Sequence, residues 1–293
     1  MLPLGPDPRT ETLRRLQALL VQRFGHIERA AAEWRQPEWV LVQGVIGART
    51  KSEVSNAATD RLLQRWGSWE AVATAPLADL QAELATQTYP NAAAERLQAT
   101  LAALIDLRGA VDLTHLAELD TEAAMDWLEQ LPGVGRKIAA GVMNASTLDR
   151  RAIVLDGHHT RILQRMGLVP PKAGTARAFA SIMPAMPEDW SGAQFDEHHL
   201  LMKKLGQTWC RPSAPDCPNC PAQALCEAGR RRVSGRPGHP RGATHARPLR
   251  PGPTPPRSRP GAACGGAPSA AGTSATACAV RCGPVAPARR ARV

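Results

Sequence analysis

The stretch Leu131-Pro-Gly-Val-Gly-Arg-Lys137 decides the fold of this 293-residue chain. It joins two segments with helical spacing of apolar residues, and its two glycines allow a tight turn with positive φ. The second helix would begin with unpaired N–H groups at the positive end of its dipole. Such a helix–hairpin–helix predicts an anion site suited to a DNA phosphate, although a plain helix–helix connection could use the same residues. The residues predicted to bind are Pro132, Gly133, Val134, Gly135 and Arg136.

Lys137 would stand in the first turn of that second helix. A free lysine has a pKa of about 10.4, so a nucleophilic amine needs surroundings that disfavour the ammonium. The helix N-terminus and partial burial both lower the pKa, which makes Lys137 a candidate nucleophile. The alternative is a lysine that pairs with phosphate or solvent, which is the more common role of a lysine taken alone.

Asp156 follows the apolar residues 152–155 and precedes a helical pattern. Its structural role would be to cap that helix. Its catalytic role would be a carboxylate that faces Lys137 and stabilises positive charge developing on a sugar. The adjacent His158 and His159 are expected to make structural hydrogen bonds, with a general-base role as the alternative.

Four cysteines form a compact cluster with the spacing Cys-x6-Cys-x2-Cys-x5-Cys: Cys210, Cys217, Cys220 and Cys226. In a reducing compartment so tight a cluster indicates a metal site rather than disulfides. Four thiolates fit either a tetrahedral zinc ion or an iron–sulfur cluster. The spacing differs from that of most zinc ribbons and from the bacterial ferredoxin run, so the residues alone leave the metal open.

The composition predicts an all-α fold. Alanine and leucine dominate the first 230 residues, and apolar spacing predicts about ten helices, including residues 10–35 and a pair of short helices broken at Pro76. No convincing strand is found. The chain begins with no signal-peptide pattern and has no apolar run of about 18 residues, so we expect a cytoplasmic protein with no membrane partner.

Charge is divided unequally along the chain, whose formal net charge is +10. Residues 230–293 hold 13 arginines and no acid, whereas residues 1–229 hold the other 23 basic residues against all 26 acids, a net charge of −3. A nucleic-acid footprint on the body must therefore be a local patch. The tail is predicted to be disordered; its charge could touch nucleic acid, or the tail could have no selected role.

Three motifs, in order and separation, resemble the endonuclease III family of helix–hairpin–helix DNA glycosylases. The cysteine spacing after FDEHHLLMKKLGQTW is similar to that family's C-terminal [4Fe–4S] loop, LPGVGRK resembles its hairpin, and LDGHHTRI looks like its VDTH-type segment. The resemblance covers roughly residues 10–228. It implies a [4Fe–4S] cofactor and catalytic roles for Lys137 and Asp156.

The resemblance also implies a two-lobed architecture. A six-helix barrel with the hairpin would occupy residues 36–149, and an iron–sulfur domain would be built from residues 1–35 and 150–230. The disordered tail would occupy residues 231–293. The partner would be double-stranded DNA, bound by a monomer.

The implied activity is removal of damaged bases, or cleavage at abasic sites, through a Schiff base on Lys137 and β-elimination. Arg136, Lys203 and Lys204 would help to hold the phosphates around the lesion. Three alternatives remain at this point: a lesion-binding protein without lyase activity, a glycosylase of the same fold that uses water, and an electron-transfer protein. The pair Lys137 and Asp156 favours the lyase.

Several positions depart from the family pattern. Arg49 stands where the family usually has a glutamine that fills the gap left by the flipped nucleotide, and Tyr89 aligns near a second wedge. Both are predicted to contact DNA. Gly44 stands where an adenine glycosylase would need glutamate, which argues against that specificity. The departures leave the damaged base open.

Overall fold

The structure is a computed structural model that describes residues 7–27 and 34–234. This part of the chain is all-α, as predicted, with an isolated bridge between Arg35 and Ser146 and no strand among the described residues. The α-helices are α1 Pro8–Phe24, α2 Pro37–Ile46, α3 Ser52–Trp66, α4 Trp69–Thr74, α5 Leu77–Glu83, α6 Pro90–Arg108, α7 Thr121–Leu128, α8 Arg136–Asn144, α9 Gly157–Met166, α10 Thr175–Ile182, α11 Gly192–Thr208 and α12 Glu227–Val233. Short 3₁₀ helices lie at Thr114–Glu118, Met183–Ala185 and Gln223–Leu225. Among the described residues, no helix is long and apolar enough to cross a membrane.

Helix α2 lies at the centre of its neighbours because it is apolar on nearly every side. Seven of its ten residues are buried, and it packs against α3, α6 and α8. Gly44 permits the close approach of α2 and α8, since a Cβ at this position would lie 2.9 Å from Cγ2 of Ile138. The helix that carries Lys137 is thereby seated on the core.

Helix α11 connects the remaining elements, packing against α1, α8 and α9. A capping box between Ser191 and Gln194 starts it. Gln17 on α1 donates from Nε2 to Glu197 on α11 at 2.8 Å. Residues from both ends of the described chain therefore meet on α11, which is the arrangement expected for the iron–sulfur domain, while the proposed domain boundaries stay a prediction.

The element boundaries differ from the sequence prediction at two places. The helix expected over residues 10–35 stops at Phe24, where Gly25 adopts a φ of 78°. Helix α12 continues to Val233, past the expected start of the tail at residue 231, because the Cys226 side chain caps its first turn. The break at Pro76 is confirmed, with α4 and α5 on either side of it. The predicted disorder from residue 235 onward lies outside the described residues.

Candidate functional site

The hairpin between α7 and α8 is braced by α6. Gly133 has a φ of 78°, and a Cβ there would lie 2.5 Å from Cγ of Arg96, so the turn requires glycine for both its conformation and its packing. The Thr100 hydroxyl donates to the Pro132 carbonyl oxygen at 2.7 Å. These contacts fix the inner side of the turn and leave Pro132 and Gly133 exposed at its outer edge.

The start of α8 presents backbone donors. Within the described residues, the N–H groups of Gly135, Arg136 and Lys137 donate to no acceptor, and the cap residue Gly135 supplies no side chain to cover them. Val134 differs, because its N–H donates to the Leu131 carbonyl at 3.1 Å and its side chain is buried. An anion at this helix end would therefore be held by the other three N–H groups.

The Arg136 side chain is engaged by α7. Its guanidinium lies 2.8 Å from carboxylate oxygens of Glu122 and Asp126 and 2.9 Å from one of Glu129. Its charge is therefore balanced inside the protein. The predicted phosphate contact of Arg136 rests on its backbone N–H, and its side chain ties the two hairpin helices together.

The Lys137 amine has Asp156 and Lys203 as charged neighbours. Desolvation by the surrounding protein lowers the pKa of Lys137, Lys203 acts in the same direction, and Asp156 opposes the shift. The residue still keeps access to solvent. A lysine nucleophile requires such a shift.

Asp156 caps α9, as predicted. Its Oδ1 accepts from the backbone N–H groups of His158 and His159, both at 2.8 Å. Burial alone would raise the pKa of the Asp156 carboxyl, but the electrostatic interaction with the neighbouring His199 and the hydrogen bond from the His159 N–H outweigh it and hold the pKa below its ordinary value. The carboxyl is therefore ionised at neutral pH. The structure brings it within electrostatic range of Lys137.

Two further histidines, His198 and His199 of α11, complete the surroundings of Asp156. Sequence analysis did not single them out. The Nδ1 atoms of His159 and His199 lie 3.0 and 2.9 Å from the carbonyl oxygen of Val154, and their rings stack at 6.1 Å. His198 meets the His159 ring edge-on at 5.2 Å. Desolvation lowers the pKa of His159 to about 3 and also lowers that of His199. The adjacent histidines in FDEHHLL were the available signal.

Arg49 and Tyr89 come from two loops and lie side by side at the surface. Nη1 of Arg49 is 3.4 Å from the Tyr89 hydroxyl, and Tyr89 is 47% exposed. Thr88 joins the loops, because its hydroxyl donates to the Arg49 carbonyl and its N–H donates to the Thr50 hydroxyl, both at 3.0 Å. Arg49 has a φ of 56°, in the left-handed region, and these bonds hold it there.

The two lysines of α11 have different surroundings. Lys203 donates to the Ser52 hydroxyl at 2.7 Å and is a charged neighbour of Lys137. Lys204 instead lies over the ring of Phe24 on α1, with its Nζ 5.7 Å from the ring centre. Lys203 therefore belongs to the site, whereas Lys204 contributes to the packing of α11 against α1.

Helix α9 links Asp156 to the cysteine-rich segment. Near its start, Nη2 of Arg161 lies 3.1 Å from Nδ1 of His158, a structural contact of the expected kind. Near its end, Nη1 of Arg165 donates to the Sγ of Cys210 at 3.2 Å. One helix of ten residues, about 15 Å long, therefore reaches from the Asp156 carboxylate to the cysteines.

The four cysteines line one cavity next to Arg165: Cys210, Cys217, Cys220 and Cys226. Burial raises the pKa of the Cys220 thiol to about 11, and the other three sulfurs act in the same direction, so four thiolates would need positive charge among them. The Gly229 N–H donates to the Sγ of Cys226 at 3.3 Å. Within residues 7–27 and 34–234, no three His, Cys, Asp or Glu side chains already stand in metal-binding geometry. Four thiols around one cavity are the donor set that a four-thiolate metal group requires.

Comparison with protein families gives one decisive match. The model described as "HhH-GPD superfamily base excision DNA repair protein" matches residues 42–185, from within α2 to the 3₁₀ helix after α10. Over these residues, about half of the chain, it belongs to this superfamily. The match includes the hairpin, Lys137 and Asp156, and it confirms the resemblance on which the sequence analysis relied.

Individual relatives agree with this assignment. The chain is 27% identical to "Endonuclease III" of Bacillus subtilis over 197 residues, 67% of this chain and 83% of the relative. It is 27% identical to the protein of the same name from Thermotoga maritima, over 74% of this chain and 92% of the relative. Among solved structures, a trapped endonuclease III–DNA covalent intermediate superposes with a TM-score of 0.61 at 23% identity, covering 76% of this chain and 98% of that one. That likeness confirms the fold.

Proposed function

We propose that this HhH-GPD protein is a base-excision-repair DNA glycosylase/AP lyase that attacks damaged or abasic nucleotides of duplex DNA with Lys137. One observation carries the proposal: an amine with a lowered pKa lies beside an ionised carboxylate, Asp156, at the open end of the hairpin helix. A nucleophilic amine needs the lowered pKa, whereas a lysine that only binds phosphate is weakened by it. The DNA glycosylase/AP lyase class is supported by the family match and by the endonuclease III relatives.

DNA binding is the first step. The free N–H groups at the start of α8 bind a phosphate next to the lesion, which fixes the backbone without reading its sequence. The damaged nucleotide leaves the stack so that its C1′ can reach Lys137. Arg49 and Tyr89 lie together at the surface and enter the gap, where the guanidinium bonds the orphaned base and the ring stacks on a neighbour.

The chemistry follows from the amine and the carboxylate. The neutral amine of Lys137 attacks C1′ and the base leaves with its bonding pair and takes up a proton. The amine then loses a proton, and the C=N bond forms as the C1′–O4′ bond of the sugar ring breaks and O4′ takes its pair and a proton; at an abasic aldehyde, the same amine adds and water leaves. Both routes give a Schiff base. Loss of a C2′ proton and departure of the 3′ phosphate then nick the strand. Asp156 stabilises the positive charge on the sugar.

The four cysteines are proposed to hold a [4Fe–4S] cluster: Cys210, Cys217, Cys220 and Cys226. The cluster would supply structural cross-linking of the C-terminal loop and no redox step on the substrate. Arg165, which donates to Cys210, would offset part of the charge of the sulfurs. Iron and sulfide analysis of protein purified without oxygen tests this, with stoichiometric zinc as the contrary result.

The proposed organisation is a barrel lobe at residues 36–149 and a cluster lobe from residues 1–35 and 150–230. The packing of α1 against α11 supports it. The proposed partner is double-stranded DNA with a damaged or abasic nucleotide, bound by a monomer in the cytoplasm.

Trapping with borohydride tests the nucleophile. The protein is incubated with a duplex containing one abasic site, and a reductant captures any imine as a covalent band. The wild-type protein should give the band, and Lys137→Ala should abolish it while retaining much of the binding, because the hairpin N–H groups remain. Asp156→Asn should slow trapping by about 10²–10³-fold, as expected from loss of one electrostatic stabiliser.

Lys204→Ala is the matched control for the nucleophile, since the Lys204 amine lies over the Phe24 ring and is not a charged neighbour of Lys137; at protein concentrations that saturate the duplex, a phosphate contact of Lys204 would not affect the band. It should give the wild-type band. A wild-type protein that binds abasic DNA and never traps would overturn the lyase proposal. The remaining functions would then be a lesion-binding protein or a glycosylase that activates water.

A further inference from the structure

His199 on α11 is a titratable group at the site to which the mechanism gives no task. Its Nδ1 lies 2.9 Å from the carbonyl oxygen of Val154, two residues before Asp156. A carbonyl only accepts, so Nδ1 carries the proton and Nε2 of the neutral ring carries the lone pair. Because the two nitrogens lie on opposite edges of the ring, the bond to Val154 also fixes the direction of Nε2.

The Nε2 atom of His199 is more accessible than those of its neighbours. The Nε2 atoms of His159 and His198 have no contact with solvent and no hydrogen-bond partner among the described residues, and both side chains are fully buried. His199 is only partly buried, and its Nε2 is not among the closed-off polar atoms of the described residues. Of these three imidazoles, His199 is the one that can accept a proton from a bound molecule.

Charged groups from three helices neighbour His199: Lys137 of α8, Asp156 at the start of α9, and Asp196 and Lys203 of α11. The rings of His159 and His198 also lie near it, and burial lowers the pKa of both. Desolvation and the two lysines lower the pKa of His199, and the two carboxylates oppose them. The ring is therefore neutral at pH 7 and able to accept a proton. Lys137 and Asp156 both interact electrostatically with His199, so the ring belongs to the same site as the proposed nucleophile.

We propose that Nε2 of His199 accepts the C2′ proton during β-elimination, an inference that rests on the proposed lyase function. In the imine between Lys137 and C1′, the C2′–H bond breaks and the proton passes to Nε2. The electron pair forms the C2′=C3′ double bond while the C3′–O bond breaks, and the phosphate leaves with that bonding pair. The imidazolium then returns its proton to water. Asp156 stabilises the imidazolium while it exists.

The substitution His199→Asn distinguishes the roles of the two ring nitrogens. The asparagine amide retains an N–H near the position of Nδ1, and so the bond to Val154, but it has no counterpart of Nε2. Borohydride trapping on an abasic duplex should remain near the wild-type level. Strand nicking in single-turnover reactions should fall by about 10²–10³-fold, the usual contribution of a general base.

The neighbouring His198 supplies the matched control, because its Nδ1 donates to Gln17 at 2.8 Å and its Nε2 is buried. His198→Asn should nick at the wild-type rate. A second variant, His199→Ala, should recover nicking when imidazole is added, a rescue that a purely structural role would not permit.

Wild-type nicking by His199→Asn, or failure of imidazole to restore nicking by a His199→Ala protein that still traps, would overturn the proposal. Failure of the wild-type protein to trap would overturn the lyase function and this role with it. The two failures are distinguished by whether the wild-type band is present.

Discussion

The folded protein holds single residues of this site in protonation states that favour the proposed reaction and lower the stability of the fold. Lys137 is the clearest case, because the folded protein disfavours its ammonium. The positions of Lys137 in the first turn of α8 and of Asp156 as the cap of α9 could be predicted from the sequence, because each depends on a helix start beside it; their catalytic roles stay predictions. The role of His199 could not, since its tautomer and exposure depend on how α11 packs over a segment more than 40 residues earlier.

Replacing Lys137 should therefore stabilise the protein. An unfolded lysine keeps its proton up to a pKa of about 10.4, and the folded protein releases it at lower pH. Between these values the unfolded state binds more protons, so the free energy of unfolding of the wild type rises with pH. Lys137→Met should raise the melting temperature at pH 7, and the gain should shrink to nothing above about pH 10.4. Lys204→Met is the control; a gain independent of pH would contradict the desolvation argument.

Gly44 makes a separate prediction about packing. A methyl group there would meet Cγ2 of Ile138 at 2.9 Å, so Gly44→Ala should destabilise the protein by about 1–2 kcal/mol in urea titrations. Gly141→Ala is the matched control on α8, where the nearest atom is 3.9 Å away. It should be neutral or stabilising by up to about 1 kcal/mol. The double variant Gly44→Ala/Ile138→Ala should show less than the sum of its single effects.

At the scale of elements, the hairpin depends on the ion pairs between Arg136 of α8 and the acidic residues of α7, which together form a clamp between the two helices. The three acids that engage Arg136 lie at residues 122, 126 and 129, a spacing that puts them on one face of a helix. That spacing was a signal in the sequence for a structural role of the Arg136 side chain. The long helices could be predicted from periodicity, whereas the seven-residue α12 could not, because its first turn is capped by Cys226.

Arg136→Gln distinguishes a clamp from a phosphate contact. Loss of the clamp should lower stability by about 1 kcal/mol, the scale of partly exposed ion pairs. A free cation on phosphate would contribute about one unit to the slope of log affinity against log salt. Because the Arg136 charge is already balanced, the variant should keep the wild-type slope in fluorescence titrations. A slope smaller by about one unit would show a direct phosphate contact.

At the scale of the whole molecule, α9 connects the site of Lys137 and Asp156 to the four cysteines. Asp156 caps the start of this helix, and Arg165 donates to Cys210 near its end. That the four cysteines lie together could be predicted from their spacing, and their role as cluster ligands stays a prediction. Their link to α9 could not, because it needs the packing of α12 and the cysteine-rich segment against that helix.

Cys217→Ala should release the iron and lower stability by more than about 4 kcal/mol, as loss of a metal site does. Strand nicking should fall as well, because α9 would lose its anchor at Arg165. Cys264→Ala removes a cysteine outside the described residues and should leave the iron content unchanged. Thermal unfolding and iron analysis measure both effects; full stability of iron-free Cys217→Ala would contradict the structural role.

The balanced charge of Arg136 also governs how the protein would search for a lesion. The field of backbone dipoles fades faster with distance than that of a free cation, so the hairpin cannot draw the duplex in from solution. Once in contact, it exchanges one phosphate for the next without preference, which permits sliding along DNA. Residues 1–229 carry a net charge of −3, so a net attraction to DNA over long distances would come from the 13 arginines of residues 230–293. Capture of DNA and movement along it would then depend on different parts of the chain.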